Sequence, residues 1–529
     1  MCLIQMKKII NFRPFVLFAM SLIIGIVLAT FVFVTENLKL VFFIFFLMLF
    51  IASIIVAIIF KAGFLKYIAI CLLLIVIPIG QMFHIHHEMN KNLDFDETEV
   101  VICGRIAENY KFTNTGNLKL EIDNIEIIGA DFKHNIKGRV VLYSNPANYN
   151  LEKLDVGRNV SVFGKIRLNN FEKESKYLLS NLSNGVVGSC YVNYSSFNIK
   201  EEIDKTFDEK IRGEVWNKLQ NFDTEYADIG YAMMFGDSSQ IDEDVISSFR
   251  TTGIAHLLAV SGLHVSIIAM MISFLLGLLK LPKGANFAVM SVLLFAYCYL
   301  CSFSVSVVRA SLMSLLYLYL MARGKCYDRL SALAFSICVI LIINPLKLFN
   351  VSFILSFVAV YAITLLTKLF EDLFDKVCHK KLSKTIALIF AAQVGLILVQ
   401  LYFFKNYTPM SIVSNFISIP VATIAFVLLI ITTLISSVLP FMSFMTIGYD
   451  YLMGLVVKFN YTLSKIPLIV SVNNLSFWIV LFGLLTITLC SDFVFVKKRY
   501  KAVGVSIFAI ICTILLFVWV LNIKWTRQT

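Results

Sequence analysis

Apolar residues run in long blocks through most of this chain, and one polar, alternating stretch interrupts them. A helix needs about twenty apolar residues to cross the roughly 30 Å of bilayer hydrocarbon. The blocks near 9–34, 38–60 and 64–83 meet that requirement. So do about ten more, near 252–279, 284–302, 305–322, 329–344, 350–370, 385–404, 410–437, 442–463, 475–495 and 502–522. The first block follows Lys7 and Lys8 as a signal sequence would, but it lacks a small-residue cleavage pattern and reads as an anchor.

Between residues 94 and 200 the period changes to two. Val100-Val101-Ile102, Leu118–Ile122, Arg139–Tyr143 and Val160–Phe163 read as short strands parted by Gly, Asn and Pro turns. Such strands suit a small β-barrel or sandwich. Residues 201–251 return to a helical, amphipathic pattern in stretches near 201–222 and 224–235, with a short helix at 242–251 ending at Gly253. Four regions are therefore expected: a three-helix anchor (1–93), a β domain (94–200), interfacial helices (201–251) and a multi-helix membrane domain (252–529). The fold class is a polytopic α-helical membrane protein, with about 11–13 crossings and one inserted β domain.

Composition narrows the picture. Of 529 residues, 59% are hydrophobic and only 15% charged, which leaves too little polar surface to cover a soluble globule. The net charge of +12 gathers in short clusters beside the apolar blocks. Lys7/Lys8, Lys61/Lys66, Lys280/Lys283, Arg323–Arg329, Lys376–Lys384 and Lys497–Lys501 mark the inner side. That pattern places the N-terminus in the cytoplasm, with the β domain and the C-terminus outside. Eleven cysteines lie mostly in apolar segments, where a thiol acts as a small hydrophobe. Cys103 and Cys190 fall in an early and a late strand of the outer domain, whose compartment permits a disulfide between them.

Several residues do not belong in hydrocarbon. The segment Thr252-Gly253-Ile254-Ala255-His256-Leu257-Leu258-Ala259-Val260-Ser261-Gly262-Leu263-His264-Val265 puts two histidines, a serine and glycines at the head of a spanning block. Such groups face a wet cavity or a bundle interior, and both readings stay open for this segment. Arg309, amid Ser304, Ser306 and Ser311, is either a snorkelling anchor or a fixed cation on a polar path. Gln393 and Gln400, seven apart, share a helix face and either line a path or bond between helices. His84, His86, His87 and Glu88 have no distant ligand group, so a polar cap is expected there and no metal site. The Cys298/Cys301 pair likewise lacks a second pair. No nucleotide-binding loop or nucleophile elbow occurs, so no ATPase or other catalytic residue, and no cofactor, is assigned.

These motifs resemble the ComEC family of DNA-uptake channels. The resemblance rests on Gly236-Asp237, Phe249, Thr252-Gly253 and His256–Val265, then Val308-Arg309-Ala310, Asn344-Pro345, Ser352–Phe357, Pro409-Met410-Ser411, Asn415 and Ile419-Pro420, and covers roughly 220–470. It implies a channel in the bacterial inner membrane that conducts single-stranded DNA inward. A separate nuclease, a DNA-receptor protein and a cytoplasmic ATPase or helicase would be its partners, with the lipid bilayer around it. By position, His256, Ser261, Gly262, His264 and Arg309 are core motif residues; Gly236, Asp237, Gly253, Asn344, Pro345, Asn415 and Pro420 support them. The segment 94–200 matches the family's OB-type domain in position and pattern. The metallo-β-lactamase-like domain with its HxHxDH motif, which many members carry, is not found, and no nuclease activity is expected of this chain.

Polyanion binding asks for cations and aromatic stacking. Residues 94–200 hold 13 Lys and Arg against 13 Asp and Glu, so the domain as a whole is neutral. Lys165 and Arg167, alternating on one strand face, together with Lys173, Lys176, Tyr177, Tyr191 and Tyr194, form its candidate DNA-binding group. The rival functions are a transporter of another polar or anionic solute and a non-conducting scaffold for an uptake apparatus.

Overall fold

The computed structural model describes residues 13–34, 63–113, 116–129, 132–145, 154–169, 178–203, 205–222, 224–376, 379–436, 439–466, 468–472 and 475–490, with isolated helical positions at 44, 47, 48 and 51. In chain order, α1 (Pro14–Val34) and α2 (Gly63–Asn92) precede seven strands. These are β1 (Glu99–Ile106), β2 (Lys111–Phe112), β3 (Leu118–Ile128), β4 (Lys133–Ile136), β5 (Arg139–Ser144), β6 (Arg158–Leu168) and β7 (Val186–Ile203), with α3 (Leu178–Ser183) before the last. Next come α4 (Phe207–Asn221), α5 (Ala227–Phe235), α6 (Glu243–Thr252), α7 (Gly262–Leu278), α8 (Lys283–Leu300), α9 (Val305–Ala322) and α10 (Arg329–Ile343). The chain continues with α11 (Val351–Phe374), α12 (Lys380–Phe404), α13 (Ser411–Ile435), α14 (Thr446–Ser464) and α15 (Phe477–Cys490).

Among the described residues, five helices are long and apolar enough to cross a membrane: Tyr67–Phe95, Val305–Ala322, Val351–Phe374, Lys380–Phe404 and Ser411–Ile435. Shorter apolar helices accompany them at Pro14–Thr30, Gly262–Leu278, Gly284–Leu300, Arg329–Ile343 and Phe477–Thr488. The chain is thus a polytopic helical membrane protein carrying a β-sheet domain. The expected crossing at 502–522, and nearly all of that at 38–60, lie outside the described residues.

Two compact units divide the chain. One comprises Pro14–Trp216 and Ala334–Asn350. Its sheet pairs β1 with β6, β6 with β7, β7 with β5, β5 with β3, and β3 back to β1, all antiparallel except β5–β7. Alternation drives this arrangement: the inward positions of every second residue, among them Ile102, Leu120, Ile122, Ile127, Val140, Val162, Ile166 and Cys190, form one buried cluster. Each large aliphatic side chain so buried is worth about 1.5–3 kcal/mol. At the cluster's edge, Arg105 forks onto its cross-strand neighbour Asp123 (3.0 and 2.8 Å) and reaches Glu209 of α4 (2.9 Å). The hydrogen bonds to Asp123, helped by the charge of Glu209, outweigh burial and raise the guanidinium above its ordinary pKa.

Three features of this unit differ from the sequence expectations. β7 runs on through Ile203, so residues 201–203 extend a strand where the pattern suggested helix. No disulfide joins Cys103 and Cys190. Cys103 pairs with Ser161 on β6 and Cys190 with Ile166 on the same strand; those partners stand about 17 Å apart along β6 at roughly 3.4 Å per residue, beyond the about 7 Å a bridge spans. The Asn344-Pro345 turn also belongs here: the Asn344 carboxamide caps Leu346 N–H (3.0 Å), and Asn350 Nδ2 bonds the Asn184 side chain (2.7 Å).

The other unit comprises the described residues of Met1–Arg13, Asn217–Leu333 and Val351–Thr529. In it α5 is buried along nearly its whole length, whereas the pattern suggested an interfacial helix. The reason is composition: Ile229, Gly230, Ala232, Met233 and Met234 leave no polar face. Two close associations tie other helices of this unit together. Gly395 of α12 meets the Ala362 methyl of α11, a contact that a larger residue would forbid. Between α13 and α14, Asn460 donates to Ser418 Oγ (2.8 Å) and accepts from the Ser414 hydroxyl.

Candidate functional site: a polar-lined cavity between membrane helices

The apolar block that begins at residue 252 is not one helix. α6 ends at Gly253, whose φ of +79° is a left-handed conformation that favours glycine. A short turn over Ala255–Leu258 follows, then extended backbone at Ala259, and α7 starts only at Gly262. His264 fixes that start: its Nδ1 accepts from the Ser261 N–H (3.2 Å), one of the donors that a helix beginning leaves unpaired.

This broken segment borders a cavity of about 1690 Å³, open on one side, whose wall is formed by α7, α9, α11, α12 and α13. The volume exceeds the roughly 300–1,000 Å³ of a small-molecule pocket. Each helix presents one face to it: Gly262, Ser266 and Ser273 from α7; Ser306, Arg309 and Tyr317 from α9; Ser352, Ser356 and Ile363 from α11; Ser411 and Asn415 from α13. On α12 the lining face runs from Thr385 through Ile389, Gln393 and Gln400 to Phe404. At 1.5 Å per residue that wall is about 28 Å tall, close to the thickness of the hydrocarbon layer.

The electrostatics of the lining are one-sided. Among the described residues no aspartate or glutamate lines the cavity, and its charged side chains are Arg250 and Arg309. Arg250 pairs with the exposed Glu243 (3.0 Å). Arg309 is 6% exposed. Its Nη1 donates to the Ser356 carbonyl, the guanidinium lies 5.7 Å from the Phe357 ring centre, and Nε has no hydrogen-bond partner among the described residues. Asn415 Oδ1 is likewise buried and has no hydrogen-bond partner among the described residues. Five aromatic side chains, Phe274, Tyr317, Tyr327, Phe404 and Tyr407, share the wall.

Of the residues singled out in the sequence, His256, Ser261, Gly262, Arg309, Gly253, Asn415 and Pro420 meet at this cavity. His264 is not among the lining residues: it is 1% exposed, with its ring 4.6 Å from that of Phe426, and it bears on the cavity through its bond to Ser261. Gly236 and Asp237 lie outside it as well. Gly236 ends α5 with φ +86°, and Asp237 accepts from the Ser239 N–H (3.0 Å). Asn344 and Pro345 are not among the lining residues. Gln393 and Gln400 both line the cavity, and Gln393 Oε1 also accepts from the Ser411 hydroxyl (3.1 Å), so the two alternatives for that pair coexist. That the aromatic members share one wall becomes apparent only when these separate segments are brought together.

On the β domain, Lys165 and Arg167 are exposed on β6 with Phe163, the alternate residues facing inward. Lys165 stands opposite Tyr191, which stacks on Tyr143 (5.2 Å), and it lies 3.6 Å from Glu97. Lys173 and Lys176 lie outside the described residues.

Comparison with known proteins bears on this same region. The model of the Competence protein family matches residues 233–496, a span that contains every described lining residue of the cavity. ComE operon protein 3 of Bacillus subtilis is 28% identical over 192 residues, 36% of this chain and 24% of that protein. Recombination protein 2 of Haemophilus influenzae is 27% identical over 221 residues, 38% of this chain and 27% of its own length. An uncharacterized protein of Aquifex aeolicus is 31% identical over 177 residues, covering 33% of this chain and 39% of that protein. The shared region is thus well under half of each relative. No solved structure matches the chain.

Proposed function

Because the chain belongs to the competence-protein family, we propose that it is a conduit in the bacterial cytoplasmic membrane that passes one strand of DNA inward during natural transformation. The observation that carries this reading is the cavity wall, about 28 Å tall at 1.5 Å rise per residue, lined by arginine, hydroxyl, carboxamide and aromatic side chains and by no described carboxylate. A strand presents fixed negative charges and flat bases; an acid-free wall avoids repelling the first, and Phe274, Tyr317, Phe404 and Tyr407 offer surfaces for the second. Gln393, Gln400 and Asn415 supply hydrogen bonds that do not select a base.

In this reading the β domain is an OB-type barrel outside the membrane. The circuit β1-β6-β7-β5-β3-β1 supports it, since five strands in a closed ring suit that fold. The face bearing Phe163, Lys165, Arg167 and Tyr191 is where it would meet the strand. The N-terminus is cytoplasmic, by the positive-inside rule. This chain breaks no bond: strand degradation falls to a separate nuclease, capture to a receptor protein, and the driving force to a cytoplasmic ATPase or helicase.

The test is deletion of the chain in a transformable host. Labelled DNA should still be captured at the surface while its appearance in the cytoplasm stops. Loss of capture as well would favour a scaffold, and normal entry would remove the conduit reading.

A further inference from the structure

We propose that the first turn of α7 and the Arg309 guanidinium together form an oxyanion site in the cavity wall, which holds the phosphodiester of a strand in transit. The proposal rests on the conduit reading and adds to it where, and by which atoms, a phosphate is held. α7 is seventeen residues long, so its N-terminus carries the partial positive charge of an aligned helix. His264 accepts the Ser261 N–H, while the N–H groups of Gly262 and Leu263 have no partner among the described hydrogen bonds. Helix starts with unpaired N–H groups bind anions.

The guanidinium supplies an independent indication. A Cβ built on Gly262 would stand 2.6 Å from Arg309 Nη2 and 3.8 Å from Cζ, so the cation lies directly on the helix start. Two positive ends therefore face each other, in a wall without described carboxylates. Like charges so placed raise the energy of the empty site, and an anion between them lowers it. Arg309 is 94% buried, by its 6% exposure, and its Nε still lacks a partner among the described residues. The Ser261 and Ser306 side chains also border the cavity here. A phosphodiester, singly charged with two non-bridging oxygens, matches a fork of N–H donors on one side and helix N–H groups on the other. A lipid headgroup offers the same group; the strand is the occupant proposed, because the surrounding wall carries stacking aromatics and carboxamides along its length.

The full chain in detergent, freed of phospholipid, is titrated with short fluorescent oligothymidylates whose linkages are either phosphodiesters or uncharged methylphosphonates. Wild type should bind the charged oligomer more tightly. Arg309→Gln should weaken that binding about tenfold or more and flatten its salt dependence by about one ion, without affecting the methylphosphonate oligomer. Gly262→Ala should weaken it by displacing the guanidinium, while Gly277→Ala, on the same helix with open space around it, should not. Equal binding of both oligomers by wild type, or unchanged binding by Arg309→Gln, overturns the site. So does Arg309-dependent retention of phosphatidylglycerol without oligomer binding. A site that behaves as expected in a chain whose deletion leaves DNA entry intact would separate the two claims: the site stands and the conduit falls.

Discussion

Gly253 and Ser411 are packed so closely that a Cβ on the glycine would stand 2.5 Å from the serine Cβ. The same glycine holds φ +79° at the end of α6. Ser411, at the start of α13, donates to Gln393 of α12. One backbone position therefore joins the break in the 252–262 segment to two walls of the cavity. Gly253→Ala meets both obstacles at once, an unfavourable φ and an overlap. It should cost at least about 1–3 kcal/mol, seen as a lower melting temperature of the chain in detergent. An unchanged melting temperature would mean that α6 and α13 are not in contact as described.

The Arg105 fork should be the most sensitive polar position of the β domain. Arg105→Ala leaves Asp123 and Glu209 facing each other without their shared cation, and the loss of one partner from a buried pair costs about 3–5 kcal/mol. Chemical denaturation followed by protease susceptibility of residues 94–203 should show early release of the domain. A double change of Arg105 and Glu209 to apolar residues should recover part of the loss, since one of the two uncompensated carboxylates is then removed.

Cysteine chemistry distinguishes a buried thiol of the β domain from an exposed one elsewhere in the chain. Cys190 is fully buried among aliphatic side chains, which pushes its thiol up to about 11. At pH 8 the folded chain should react with iodoacetamide at the exposed Cys326 and remain unmodified at Cys190. Unfolding should make Cys190 reactive as well, and a reductant should leave stability unchanged. Mass spectrometry that finds a Cys103–Cys190 crosslink would contradict the strand register.

Much of this architecture is legible in the sequence, for identifiable reasons. Hydropathy finds the spanning helices because lipid forces every backbone polar group into an internal bond, so helix and apolar block coincide. Gly253, Ser261 and Gly262 announce the break because glycine and a capping serine are poor choices inside a continuous helix. Their spacing from His264, three residues beyond the Ser261 cap, also carries the capping role, although a histidine in hydrocarbon draws attention first to the path. Other features depend on tertiary partners. Whether Gln393 and Gln400 face a neighbour or a void depends on α7 and α9, more than seventy residues earlier in the chain. The distance between Cys103 and Cys190 depends on a register shift along β6 that no local pattern encodes. The lack of carboxylates among the described lining residues is legible for α7, α9, α12 and α13, which contain no Asp or Glu, whereas for α11 it depends on Glu371 and Asp372 lying off the cavity.

The most direct measurement fills the cavity. Ala359 and Ala392 line it on α11 and α12, whereas Val292, 67% exposed on α8, does not. Cells carrying Ala359→Trp or Ala392→Trp, with normal levels of membrane-inserted protein, should capture labelled DNA at the surface and fail to bring it into the cytoplasm. Cells carrying Val292→Trp should take it up like wild type. Entry at the wild-type rate through both filled cavities would contradict the account, because the strand would then be passing elsewhere.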